Sequence, residues 1–142
     1  MKKVVLLLLL LSFSVVMNAQ ENLFKEIKVK KAILCENVKD RAPIKETDSF
    51  FKGERGWLFS KIEGTGKKDY IFHIWYHYNE DNSKKVIAKI KLNINGYQWR
   101  TWSNKYLALS GKWEVVILDS KGNQLDSKEF YVLEKENNNN EK

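Results

Sequence analysis

The sequence predicts an all-β protein, a single sandwich of about seven antiparallel strands behind an N-terminal signal helix. Three observations lead there. Short runs rich in β-branched and aromatic residues recur about every ten residues, separated by Gly, Asn, Asp and Ser clusters. No run after the first twenty residues keeps a helical period. The 142 residues hold one cysteine, Cys35, so no intrachain disulfide forms and a hydrophobic core must carry the fold.

The chain opens "MKKVVLLLLLLSFSVVMNAQ". Lys2 and Lys3 form a positive n-region, Val4 to Met17 an apolar core, and Asn18-Ala19-Gln20 a small-residue boundary. This is the pattern of a secretory signal peptide over residues 1–19, cut after Ala19. The apolar core falls short of the ~20 residues of a spanning helix. The released protein is therefore expected in the periplasm or outside the cell, without integral membrane association. Losing Lys2 and Lys3 takes the balance from 25 bases against 18 acids to 23 against 18, or +5. That is basic but not extreme, and nothing resembles a nucleic-acid-binding motif, so nucleic acid is not an expected partner. An anionic envelope polymer or lipid surface fits the charge.

After a short segment, 20–26, the sandwich is expected over 27–133. "IKVKKAILC" reads as the first strand. The stretch "ENVKDRAPIKETDSFFKGER" reads as a long loop, residues 36–55, of the kind that carries function. "GWLFSKIEG" and "YIFHIWYHY" are the next strands, and "NEDNS" is a turn. "KKVIAKIKLNI" alternates, placing Val86, Ala88, Ile90, Leu92 and Ile94 on one face. Asn95-Gly96 signals a hairpin into "YQWRTWS". "KWEVVILD" and "QLDSKEFYVL" close the sandwich around a turn at residues 120–123, and 134–142 is a polar, low-complexity tail expected to be disordered. Trp75, mid-strand in the third run, occupies the place where an immunoglobulin-like sandwich buries a tryptophan.

Two constellations invite chemistry. His73 and His77 share a strand face but stand ~13 Å apart, too far to chelate one zinc ion, and no ligand set completes a site. They read instead as sheet residues, His73 hydrogen-bonded near the core and His77 nearer the solvent. Cys35 with a histidine has the composition of a thiol nucleophile, but it ends the apolar run "AILC" and reads as a small buried residue. No metal and no cofactor is expected.

"WRTWSNK" says more. On a strand, Trp99, Thr101 and Ser103 face one way and Arg100 and Trp102 the other, so one tryptophan packs and the other is expected at the surface beside Arg100. An aromatic ring with an arginine binds sugars, anions or a protein hot spot. Equally, Arg100 stacks on a ring and pairs with a carboxylate, Asp40 being the candidate.

These residues resemble the bacterial domain-of-unknown-function family numbered 2914. The matching positions are Cys35, Asp40, Arg41, Pro43, His73, Trp75, Arg100, Thr101, Trp102, Ser103, Lys105, Gly111, Trp113, Gly122 and Phe130, over nearly the whole mature chain. Asn104 stands where a second serine is usual. The resemblance implies a small β domain of envelope proteins and brings no assigned activity. The reading is an exported envelope module that binds a glycan or protein partner, with His73, Trp75, Arg100, Trp102, Ser103, Asp40 and Arg41 as candidate binding residues. The alternatives are a structural or assembly subunit, and a hydrolase built on Cys35 and His73.

Overall fold

A computed structural model describes residues 26–136. The expected signal peptide, all but Glu26 of the segment after it, and the tail from residue 137 lie outside the described residues.

The described residues form nine strands and no helix: β1 (Lys28–Lys39), β2 (Ala42–Glu46), β3 (Ser49–Phe51), β4 (Arg55–Glu63), β5 (Lys68–Tyr78), β6 (Lys84–Asn95), β7 (Gln98–Tyr106), β8 (Gly111–Asp119) and β9 (Gln124–Leu133). They make two sheets, β2-β1-β4-β7 and β3-β9-β8-β5-β6. The expected immunoglobulin-like sandwich is present, with seven of the strands where the β-branched and aromatic runs place them.

The other two strands fall inside the expected 36–55 loop. β1 runs on past Cys35 and turns back into β2, pairing Lys39 with Ala42. The two residues between them, Asp40 and Arg41, have φ of 51° and 60°. Two successive left-handed residues are the signature of a type I′ hairpin turn. β2 is exposed along most of its length and so has no buried face to impose an apolar alternation. β3 has three residues and runs parallel to β9, so the expected all-antiparallel arrangement fails at that edge.

Two local readings also change. The pairing of β5 with β6 slips between Trp75 and Tyr76, where Trp75 faces Ala88 and Tyr76 faces Val86. The extra residue, Ile87, packs against the core, while Val86 turns outward and is 53% exposed. A bulge flips every side chain beyond it, which is why the alternation misplaces Val86. Asn95-Gly96 makes no hairpin, because β6 and β7 belong to different sheets. Gly96, at φ 142°, carries the chain across, and a Cβ on Gly64 would meet its carbonyl oxygen at an impossible separation.

The core lies between the sheets. Trp75, Trp113 and Phe130 occupy its centre, Trp113 and Phe130 stacked with centroids 6.0 Å apart and Trp75 edge-on to Phe130. Leu58, Ile62, Ile71, Ile94, Leu107 and Ile117 fill the space around them, all essentially without solvent contact.

Candidate functional site

The first cluster lies inside the sandwich. Inward positions on β4 alternate Leu58, Ser60, Ile62, and on β7 Trp99, Thr101, Ser103. A serine at such a position needs a partner, since a buried hydroxyl without one is costly. The partner is His73, reaching from β5 in the opposite sheet. Its Nε2 lies 3.0 Å from Ser60 Oγ and its Nδ1 2.7 Å from Ser103 Oγ. Trp75 donates its indole N–H to the same Ser103 oxygen at 3.1 Å. His73 has no solvent exposure, and burial lowers its pKa to about 3, so the ring is neutral. Every buried side-chain polar atom among the described residues has a partner. The His-x-Trp and Arg-Thr-Trp-Ser motifs thus meet as one clamp between sheets. His73, Trp75 and Ser103 are reached by no ligand while the sheets stay together.

The second cluster lies on the outer face of the four-stranded sheet. Cys35, Ile33 and Phe59 are buried there, with Val38, Trp57 and Trp102 packed against them. The β1–β2 hairpin lies over this face, since Val38 touches the cluster and Arg100 Nη1 donates to the Arg41 carbonyl at 3.4 Å. Beside the apolar patch runs a row of cations. Lys31 on β1 faces Lys61 on β4, which faces Arg100 on β7. All three are exposed, and none of them, nor Arg41, has an ion-pair partner among the described residues. Glu63 lies on the same face, two residues from Lys61 along β4, and Lys30 holds it at 2.8 Å. That hydrogen bond and the charge of Lys30 keep the Glu63 carboxyl below its ordinary pKa.

Two expectations fail on this face. Asp40 does not pair with Arg100, because it is spent on the hairpin turn, where the neighbouring carbonyl of Arg41 takes the guanidinium. Trp102 is not freely exposed; it is half-buried against the Cys35 patch, while Trp99 packs on the main core. Cys35 and His73 face opposite sides of the four-stranded sheet, so they form no nucleophile–base pair. Burial pushes the Cys35 thiol above its ordinary pKa, away from thiolate.

The outer face of the five-stranded sheet is basic too, but four of its lysines lie over aromatic rings. Lys91 sits over Tyr70 at 4.1 Å and Lys89 over Phe72 at 4.2 Å. Lys84 and Lys112 lie over Tyr76 and Tyr78 and also pair with Glu114 and Glu129. Tyr78 donates to Glu114 at 2.7 Å, and the carboxylate holds that phenol up to about 12.

Sequence reasoning placed Arg100 and Trp102 together and missed Ser60, Lys31 and Lys61. Ser60 was legible as a polar residue at an inward position of "WLFSKIE". The lysines were not, since only strand register sets them opposite Arg100.

Residues 68–132 match the family described as a protein of unknown function, DUF2914. The match takes in His73, Trp75, Arg100, Trp102 and Ser103 and stops short of Cys35, Asp40, Arg41 and Pro43, a narrower extent than the motifs implied. No curated protein matches the sequence. Among solved structures the sandwich is similar to part of the alkylpurine DNA glycosylase AlkC of Pseudomonas fluorescens, solved bound to DNA containing an abasic site analogue, with 17% identity and a TM-score of 0.52. That likeness covers 77% of this chain and 31% of the glycosylase, so the chain spans under a third of that enzyme. It is also similar to an immunoglobulin-like protein of Pseudomonas aeruginosa, with 10% identity, a TM-score of 0.50, and 76% and 97% of the two chains covered. At these identities the likeness is one of fold alone. The resemblance to DUF2914, a family of unknown function, therefore holds over residues 68–132, the β5–β9 half of an immunoglobulin-like sandwich.

Proposed function

We propose that this protein is an exported module of the cell envelope that binds a glycan or protein partner and transforms nothing. Export rests on the Lys2-Lys3, apolar and Asn-Ala-Gln pattern at the N-terminus. The binding reading rests above all on the row Lys31–Lys61–Arg100. Like charges directly opposite on neighbouring strands are destabilising. Here three stand side by side on central and edge strands, none of them ion-paired among the described residues. An anionic partner removes that cost. A binding role also fits the separation of Cys35 from His73, which leaves the hydrolase reading without its base.

The test uses the mature protein, immobilised and exposed to envelope extract, with the captured molecule identified and rebound in pure form. Wild type retains the partner and the Lys61→Glu/Arg100→Glu variant loses it. Capture unchanged in that variant contradicts the assignment to this face. Intact mass of the exported protein should begin at Gln20; material retaining residues 1–19 contradicts the export reading.

A further inference from the structure

We infer that the occupant of the Lys31–Lys61–Arg100 face is an acidic polysaccharide carrying carboxylates, laid across the strands beneath the Arg41 turn. This rests on the binding reading above and names the class of its partner. Neighbouring strands are ~4.8 Å apart, so the three cations cross ~10 Å of sheet, perpendicular to the strands. One small anion does not span that row; a chain with several negative groups does.

Arg100 is the best-placed reader. A guanidinium carries five N–H donors, and one nitrogen makes a long 3.4 Å contact with the Arg41 carbonyl. That contact leaves the other donors for a bidentate carboxylate. Trp102, two residues along the same face and half-buried, supplies an apolar wall for the carbon faces of sugar rings. Arg41 itself holds φ 60°, a conformation in which glycine is the ordinary choice. Strain of this kind collects at binding sites.

Single-stranded nucleic acid fits less well. It needs open aromatic platforms for successive bases. On this face Phe59 is buried and Trp57 and Trp102 are half-buried against the Cys35 patch, so among the described residues no ring lies fully open beside the cation row. The opposite face has more rings, but lysines cover them. That face supplies the control, because removing Lys89 and Lys91 changes net charge as much as removing Lys61 and Arg100.

The experiment measures binding of the mature protein to polygalacturonate, neutral dextran, polyphosphate and a single-stranded oligonucleotide at two salt concentrations. Polygalacturonate should bind in a salt-sensitive way and dextran should not. Lys61→Gln/Arg100→Gln should weaken polygalacturonate binding at least about tenfold, as expected for lost charged hydrogen bonds. Lys89→Gln/Lys91→Gln should weaken it less than about twofold, as expected for exposed charges outside the contact. Equal weakening by both pairs would reduce the effect to net charge and overturn the inference. So would polyphosphate or the oligonucleotide binding as tightly as polygalacturonate. If no polysaccharide binds while envelope capture still depends on Arg100, the ligand class is wrong and the binding face stands.

Discussion

His73 Nδ1 lies 2.7 Å from Ser103 Oγ, a hydrogen bond that joins the two sheets through the middle of the core. The same oxygen accepts the Trp75 indole N–H, so one serine satisfies two buried groups from the facing sheet. Either tautomer of His73 keeps both ring nitrogens partnered, by Ser60 on one side and Ser103 on the other.

Ser103→Ala should therefore destabilise more than the loss of a small hydroxyl implies. It strands the His73 nitrogen and the Trp75 N–H, at about 1–3 kcal/mol for each unsatisfied group. Trp75→Ala removes the central ring and should cost about 3–5 kcal/mol. Urea unfolding checks both. A midpoint for either variant matching wild type would mean the clamp contributes nothing.

Acid should weaken the fold through His73. The unfolded chain takes up this proton below its ordinary value of 6.5, the folded chain only near pH 3. Stability is thus complete above pH 6.5 and falls as pH drops through the window below it, by up to about 1.4 kcal/mol per pH unit. Unfolding free energies at pH 6.0 and 5.0, before most carboxylates titrate, isolate the effect. His73→Asn, though less stable overall, should lose that slope. An equal slope in both proteins would assign the acid sensitivity elsewhere.

Cys35 should resist thiol reagents in the native protein. It has no solvent exposure under Val38, Trp57 and Trp102. Labelling should proceed only in denaturant; rapid native labelling would show that the β1–β2 hairpin opens.

Much of this was legible in the sequence, for physical reasons. Strands rich in β-branched and aromatic residues between turn signals announce themselves by composition, so β4, β5, β7, β8 and β9 were readable, β8 although it is buried at five successive positions. Trp75 stood out by lying mid-strand among aromatics. The signal fades where burial does not impose the period. β2 is exposed, β3 is three residues long, and the bulge at Ile87 resets the count for Val86. The candidate site depends on register between strands distant in sequence. Arg100 was visible as a residue, but its neighbours Lys31 and Lys61 lie 69 and 39 positions away in the chain.

Arg41→Gly should stabilise the protein while weakening ligand binding. The turn then becomes Asp-Gly, the preferred type I′ pair, and relieves a left-handed non-glycine residue by up to about 1 kcal/mol. A rise in melting temperature together with weaker envelope capture is the expected pair of results. A fall in melting temperature would mean that the Arg41 side chain stabilises the hairpin.

Arg100→Ala separates a residue that holds the fold from one that meets a partner. A buried, ion-paired arginine costs about 3–5 kcal/mol when removed. This one is exposed, and its hydrogen bond to the rest of the fold is a long 3.4 Å contact to the Arg41 carbonyl. Urea unfolding and envelope capture, measured on the same Arg100→Ala preparation, should give a midpoint within about 0.5 kcal/mol of wild type, the range of ordinary surface substitutions, together with loss of the partner. A large loss of stability, or an unchanged midpoint with capture intact, would contradict the account.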